Sequence, residues 1–475
     1  MYSSYERDKF LVTCHPSSRQ LLVEQMEFYA FAHFTVNTFT DKEWGDGTES
    51  PSIFNPTAFD ANQWVDALLA AGIKGLILTC KHHDGFCLWP SAYTEHSVKN
   101  SPFRNGHGDV VAEVADACRK GGIKFGVYLS PWDRNSPVYG QGKAYDDFFC
   151  NQLTELLTRY GDIFTVWFDG ACGEGPNGKK QVYDWARYYQ VIRNLQPDAC
   201  IAISGPDIRW CGNEAGYTRE SEWSVLPMGF LNPDDVAAIS QQSEDTAFRT
   251  AKIDHKASDL GSRSFLADAC ALKWRPAETD TSIRPGWFYH ASEDDQVRST
   301  ETLLDIWYRT VGGNSKLLLN IPPDRRGLFH ETDVLRLNEM GEYLRKTFAV
   351  NVASDAEISA EHCDGYHVPN NLKTDSYETY YKPFDGENQV VLSFRWKALQ
   401  TVSHMVIKEH IPMSQRIERF YIETKCSDGS FRVLSSGTTV GTKKIARFDP
   451  VKTRELRLVI TDSRVCPILS FVGIY

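Results

Sequence analysis

The sequence predicts an α/β chain: a (β/α)8 TIM-like barrel followed by a C-terminal antiparallel β-sandwich. Three observations carry the prediction. From Phe28 to about residue 345, short β-rich runs alternate with long amphipathic stretches, the order of parallel βα units. Runs such as Gly75–Cys80 (GLILTC) and Phe164–Phe168 (FTVWF) are almost continuously apolar, as strands buried on both faces should be. After about residue 350 the texture changes to short alternating runs spaced by turn residues, with no helical period.

The strand candidates, in order, are Phe28–Phe34, Gly75–Cys80, Lys124–Leu129, Ile163–Phe168, Cys200–Ser204, a poorer Glu222–Val225, Gly286–Tyr289 and Lys316–Asn320. Helical patterns lie between them. Ala61–Ala71 aligns Trp64, Leu68 and Ala71 on one face. Asp109–Arg119 opens on a capping Asp and closes before Gly121 and Gly122. Ala144–Arg159 and Val182–Leu195 repeat the pattern, the second stopped by Pro197, and Ser299–Val311 and Thr332–Lys346 complete the series. A doubly wound open sheet has the same alternation. However, no G-x-G-x-x-G follows the first strand, and chemistry-rich residues follow many strands instead of one switch point. Insertions across Pro227–Thr281 blur the sixth unit. The barrel is assigned to residues 1–347 and the sandwich to residues 348–475.

Composition bounds the function. The 475 residues allow two to four domains at about 100–200 residues each. A net charge of −11 gives no electrostatic reason to expect nucleic acid or an anionic membrane as partner. No apolar run approaches the roughly 18 residues of a membrane span, and MYSSYERDKF has no apolar core, so no signal peptide is expected. The 12 cysteines form no C-x-x-C pair, which leaves a zinc-ribbon or thioredoxin reading without support. Buried free thiols are expected, as for Cys118 on its helical pattern.

The informative residues follow the strands. His33 and then Asn37 to Trp44, including Glu43, follow the first; Lys81-His82-His83-Asp84 follows the second. Tyr128 leads into Ser130-Pro131-Trp132-Asp133, and the fourth strand ends Trp167-Phe168-Asp169. Arg209, Trp210 and Glu214 follow the fifth, and Trp287 lies in the seventh. In a barrel these ends converge on one face. Histidines, carboxylates and tryptophans there make a polar pocket with aromatic walls, which suits a sugar's hydroxyls and C–H faces. Each piece also has a plainer reading. A lone histidine at a strand end is more often a satisfied structural side chain. His82 and His83 are neighbours, so both serve a ligand only if they lie on the turn. Asp169 before Gly170 doubles as a strand-ending turn residue, and a carboxylate in a glycine-bracketed loop, like Glu214, is usually solvated. Such explanations must hold independently at six strand ends.

The phrases AHFTVNTFTDKEWGDG, LTCKHHDGFCLWPS, VYLSPWD, VWFDG and GNEAG resemble glycoside hydrolase family twenty-nine, the α-L-fucosidases, over roughly residues 28–325. EWGDG and RWCGNEAG are similar to the branch selective for α-1,3/1,4-linked fucose, as on Lewis-type glycans. The first strand reads AHFTVNTF where many members carry an IHWG phrase, so the likeness is to that branch. The resemblance implies a retaining exo-fucosidase, with Asp169 as nucleophile and Glu214 as general acid/base, Glu174, Glu220 and Glu222 being rivals for the second role. It implies that His33, Glu43, Trp44, His82, His83, Tyr128, Trp167 and Trp287 line the fucose pocket, with Arg209 as a further candidate. It also implies no metal or cofactor, a fucosylated glycan as substrate, and a galactose-binding or discoidin-like sandwich. Extracellular glycans as substrates favour a secreted or periplasmic protein. Two alternatives remain open: a non-catalytic fucose-binding protein on this scaffold, and a metal-dependent barrel hydrolase using His33, His82, His83 and Asp169. The second lacks the usual pair of inward histidines on strand one, because Thr35 stands at the second position.

Overall fold

The computed structural model describes residues 4–240 and 258–475. Eight parallel strands form one sheet: β1 (Phe28–Ala32), β2 (Gly75–Lys81), β3 (Lys124–Leu129), β4 (Thr165–Phe168), β5 (Cys200–Ile203), β6 (Arg209–Trp210), β9 (Ala277–Ser282) and β10 (Lys316–Asn320). A hairpin of β7 (Val225–Pro227) and β8 (Leu272–Trp274) stands outside it. The sheet order is β5-β4-β3-β2-β1-β10-β9-β6. Its two ends meet through a parallel bridge between Ala202 and Ile208, so the barrel is nearly closed.

Helices cover the outside. Ala61–Ala70 is capped by Asp60, and Val110–Gly121 is capped by Asp109 and ended by Gly122 at a left-handed φ of 74°. Lys143–Arg159, Trp185–Leu195, Thr300–Thr310 and Glu331–Thr347 follow. The fourth of the expected helices starts at Trp185, not Val182, because Asp184 is its cap and accepts from the Arg187 amide.

Two strand expectations are corrected. The sixth barrel strand is Arg209–Trp210, not Glu222–Val225, and the seventh is Ala277–Ser282, not Gly286–Tyr289. The chain passes from β5 to β6 without a helix: Ile203 takes a left-handed φ of 63°, strained for a β-branched residue, and turns the chain sharply. The Arg275 guanidinium holds the Ile203 carbonyl at 2.7 Å. The seventh strand, AETDTS, is wholly buried yet polar, which hid it from an apolar-run criterion. Residues 241–257, part of the blurred segment Pro227–Thr281, lie outside the described residues, as do residues 1–3.

Alternate side chains of each strand face opposite layers. Ala30, Leu76, Leu78, Val127, Val166, Leu317 and Leu319 pack against the helices with Trp64 and Leu68. Tyr29, Phe31, Ile77, Tyr128, Trp167 and Leu318 fill the barrel interior. Trp64 is fully buried; truncating a side chain of that size costs about 3–5 kcal/mol. The inward parity, continued two residues on, carries Phe31 to His33, Trp167 to Asp169 and Leu318 to Asn320. The fold itself therefore aims these polar groups at the mouth.

The C-terminal part is a β-sandwich of antiparallel strands: β11 (Glu357–Ala360), β12 (Val390–Glu409), β13 (Ile417–Lys425), β14 (Phe431–Gly437), β15 (Lys444–Ser463) and β16 (Leu469–Ile474). Phe394, Ile407, Phe420, Leu458 and Ile474 lie in its separate apolar core. Among the described residues no two cysteines form a disulfide, and no helix is long and apolar enough to cross a membrane.

Candidate active site

Asp169 follows the last residue of β4 and its side chain is 23% exposed at the mouth. The Tyr128 hydroxyl donates to Asp169 Oδ2 at 2.9 Å, and the Ala171 amide donates to Oδ1 at 2.9 Å. His83 Nε2 lies 3.6 Å from Oδ2. The tautomer follows from the other ring nitrogen. The Ser130 hydroxyl donates to the Trp132 carbonyl at 2.6 Å, so its oxygen accepts from His83 Nδ1 at 2.7 Å. Burial lowers the His83 pKa to about 4, so the ring is neutral near pH 7 and turns an Nε2 lone pair toward Asp169.

His33 repeats this logic. Its Nδ1 meets Asn320 Oδ1 at 2.8 Å, an oxygen that only accepts, so Nδ1 carries the hydrogen and Nε2 is an acceptor. Burial lowers its pKa to about 4 as well. His82 stacks on Tyr128 with ring centres 5.6 Å apart and touches His33 edge-on at 5.6 Å. Burial pushes its pKa well down, and its Nδ1 is buried with no hydrogen-bond partner among the described residues. Both His82 and His83 thus reach the site, and they do so because β2 ends at Lys81 and the pair sits on the turn beyond it.

Glu214 lies beside Trp287, its Oε2 accepting from the Trp287 indole at 3.1 Å. Trp287 lies over His33 with centres 5.1 Å apart, and Phe31 touches Tyr128, Trp167, His33 and Trp287 from below. Trp44 is half-buried and meets His83 and Trp132 edge-on at 5.6 and 5.5 Å. Trp167 stacks on Tyr128 at 5.2 Å and donates its indole hydrogen to Glu278 at 2.7 Å. Glu43 is a clasp: its carboxylate accepts from the Trp287 and Phe288 amides at 2.9 and 3.1 Å and meets His290 Nε2 at 2.8 Å. That bond raises the His290 pKa to about 9. Glu43 therefore fixes the loop that presents Trp287.

Of the rival glutamates, Glu174 borders the aromatic wall, its carbonyl accepting from the Trp132 indole at 3.0 Å. Glu174 and Glu220 are exposed. Glu222 is buried and ion-paired with Arg209 and Arg219; although burial pushes its carboxyl up, the two guanidinium groups hold it below the usual range. Arg209 Nη2 is thus paired with Glu222 and donates to the Trp223 carbonyl at 3.1 Å.

Two carboxylates escaped sequence reasoning. Glu278 and Asp280 alternate along β9 and face inward, Asp280 opposite the interior residue Leu318. Burial raises Glu278 to about 7 despite hydrogen bonds from Tyr29 and Trp167. Burial and then the Glu214 and Glu278 charges raise Asp280 well above the carboxylate range, while the Trp210 indole donates to it at 2.7 Å. The signal available was the period-two spacing of two acids within a threonine-rich run.

The mouth thus offers two carboxylates held by neutral donors, neutral histidines presenting lone pairs, and several aromatic faces. His82, His83 and Asp169 also place one ligand-type atom each within 4.8 Å of one another.

A profile described as Alpha-L-fucosidase matches residues 17–348. Alpha-L-fucosidase 1 of Arabidopsis thaliana is 42% identical over 467 residues, covering 97% of this chain and 87% of its own. A Ruminococcus gnavus GH29 fucosidase solved in complex with fucose is 30% identical with a TM-score of 0.83, over 97% of this chain and 95% of that one. A glycoside hydrolase 29 family member from an unknown rumen bacterium is 38% identical with a TM-score of 0.79, over 97% of this chain and 77% of that one. With a barrel of this form and a mouth built of carboxylates, histidines and tryptophans, the chain belongs to the α-L-fucosidase family and is a glycoside hydrolase.

Proposed function

We propose that the chain is an exo-acting, retaining α-L-fucosidase that releases terminal α-1,3/1,4-linked L-fucose from Lewis-type glycans through a covalent fucosyl–Asp169 intermediate. The observation that supports it most is the pair of carboxylates at one mouth, Asp169 held by the Tyr128 hydroxyl and Glu214 by the Trp287 indole. In a retaining reaction Asp169 attacks the anomeric carbon while Glu214 protonates the leaving oxygen; Glu214 then takes a proton from the water that releases fucose. His33, His82, His83, Trp44, Tyr128, Trp167 and Trp287 bind the sugar in this reading, the neutral histidines accepting from its hydroxyls and the rings covering its apolar face. Glu43 acts through the Trp287 loop. The R. gnavus relative holds fucose, which agrees with this substrate.

Glu214→Ala tests the assignment. Hydrolysis of an aryl fucoside with a good leaving group should persist and rise on adding azide, while a Lewis-type trisaccharide should become nearly inert. Failure of azide to rescue would return Glu174, Glu220 and Glu222 to consideration. Linkage choice is read by comparing α-1,2-, α-1,3- and α-1,4-fucosylated oligosaccharides with the wild-type enzyme. We also propose a division at residues 347/348, where the helix Glu331–Thr347 ends, with a galactose-binding-like fold beyond it.

The His82–His83–Asp169 cluster favours a second reading, a metal-assisted hydrolase. Stoichiometric metal in the purified protein, and activity lost to a chelator and restored by the ion, would support it over the first.

A further inference from the structure

The sandwich carries a groove unrelated to the barrel mouth. It arises from an irregularity between its two longest strands. Arg395 on β12 pairs with Glu455 on β15, but the next pair is Gln400 with Thr453. Four residues of β12, Trp396 to Leu399, therefore oppose only Arg454, and a bulge of this kind bends the strand and re-aims its side chains. Trp396 turns inward and ties its indole to the Val352 carbonyl at 2.7 Å, whereas Leu399 stays 59% exposed at the rim. The resulting groove has a volume of about 460 Å³.

Its lining is cationic. Arg395, Lys425, Lys452 and Arg454 face one carboxylate, Glu455, in a protein whose net charge is −11. Glu455 is nearly buried and lies 3.2 Å from both Arg395 and Lys425, so it spaces two cations without matching the four. Among the described residues Lys452 and Arg454 enter no ion pair, and both are exposed. Beside them the row continues across β13 to Phe431, which lies under the Arg457 guanidinium at 3.6 Å. Like charges crowded around a concavity destabilise one another unless a ligand supplies the missing negative charge.

We propose that this groove binds an anionic saccharide, its sulfate or carboxylate groups ion-paired with Lys452 and Arg454 and its ring seated against Leu399. The size fits two or three sugar rings, within the range of small-ligand sites. A nucleic acid fits less well, since sequence-independent binding needs a longer basic track and stacking platforms. The groove is independent of the catalytic reading of the barrel.

The test titrates the intact 475-residue chain with a sulfated heparin-derived tetrasaccharide, a tetragalacturonate, neutral chitotetraose and a single-stranded oligonucleotide, at low and physiological salt. The same titrations follow on Lys452→Gln/Arg454→Gln, two exposed positions whose loss should leave folding and aryl-fucoside turnover unchanged. We expect one or both acidic oligosaccharides to bind the wild type, more weakly as salt rises, and the double variant to lose about tenfold or more. The stronger acidic arm tells sulfate from carboxylate recognition. Equal binding by the variant, binding of chitotetraose as tight as that of the acidic sugars, or tighter binding of the oligonucleotide would each overturn the proposal.

Discussion

The two ends of the barrel use the same kind of side chain, a carboxylate, in opposite ways. At the mouth, Asp169 and Glu214 accept from a phenol and an indole. At the base, where the strands begin, Glu24 is ion-paired with Lys316 and accepts from Thr442 at 2.6 Å. Glu27 there is paired with Lys443 and Lys408; burial opposes ionisation, but these lysines hold its carboxyl far below the usual range. Lys408, Thr442 and Lys443 belong to the sandwich, so the base is also the seam between the two parts. A neutral donor positions a carboxylate without cancelling its charge, which suits a group that must attack or change protonation. A lysine cancels the charge and locks the group in one state. Chemistry should therefore concentrate at the mouth and stability at the base.

The largest expected effect is at the mouth. Asp169→Ala should cut kcat by about 10³- to 10⁵-fold, with thermal unfolding close to wild type. Near-wild-type turnover would break the contrast. At the base, Glu27→Gln leaves Lys443 without its carboxylate partner, while Lys408 keeps Asp375 at 2.8 Å; it should destabilise by about 3–5 kcal/mol in chemical denaturation, with kcat on aryl fucoside unchanged in the folded enzyme. Loss of kcat without loss of stability would invert the assignment.

A smaller effect separates the interior carboxylates from both ends. Glu278 is raised to about 7, above its unfolded value, so the fold favours the protonated form. Its contribution to stability is present at low pH and lost as pH rises from the unfolded value through about 7. Glu278→Gln, neutral at every pH, should therefore gain on the wild type by on the order of 2 kcal/mol between pH 5 and pH 8. The histidines run the other way. His33 and His83, lowered to about 4, contribute stability above the unfolded value near 6.5 that is lost as pH falls toward 4. A parallel pH dependence of wild type and Glu278→Gln would remove Glu278 from the first account. The smallest change is expected at the Glu43 clasp: Glu43→Gln weakens the bond to His290 and should raise KM about tenfold with less effect on kcat. A kcat loss as large as that of Asp169→Ala would make Glu43 a reacting group instead of a positioning one.

How much was legible in the sequence follows the same division. Five of the first strands, and the last, announced themselves because their two faces both meet apolar layers, as in GLILTC. The sixth escaped because only Arg209 and Trp210 remain of it, and the seventh because its interior face is acidic. Asp169, His33 and Tyr128 were readable as polar ends of apolar strands. Glu43 was readable as part of the site, but not as a clasp, since its partners are backbone amides more than 240 positions away. Arg209 was readable as a candidate pocket residue, but its ion pair with Glu222, thirteen positions on, was not. Local pattern marks where the chain changes character; which carboxylate meets an indole and which meets an arginine is decided by long-range packing.

The central claim is that Asp169 is the nucleophile of a retaining reaction. It is tested most directly by incubating the enzyme with a 2-deoxy-2-fluoro-fucosyl fluoride and mapping the adduct by peptide mass spectrometry. The account predicts one covalent fluorofucosyl group on Asp169, with α-fucose as the first product seen by NMR during turnover of an unmodified substrate. An adduct on another residue, or β-fucose as first product, would contradict it.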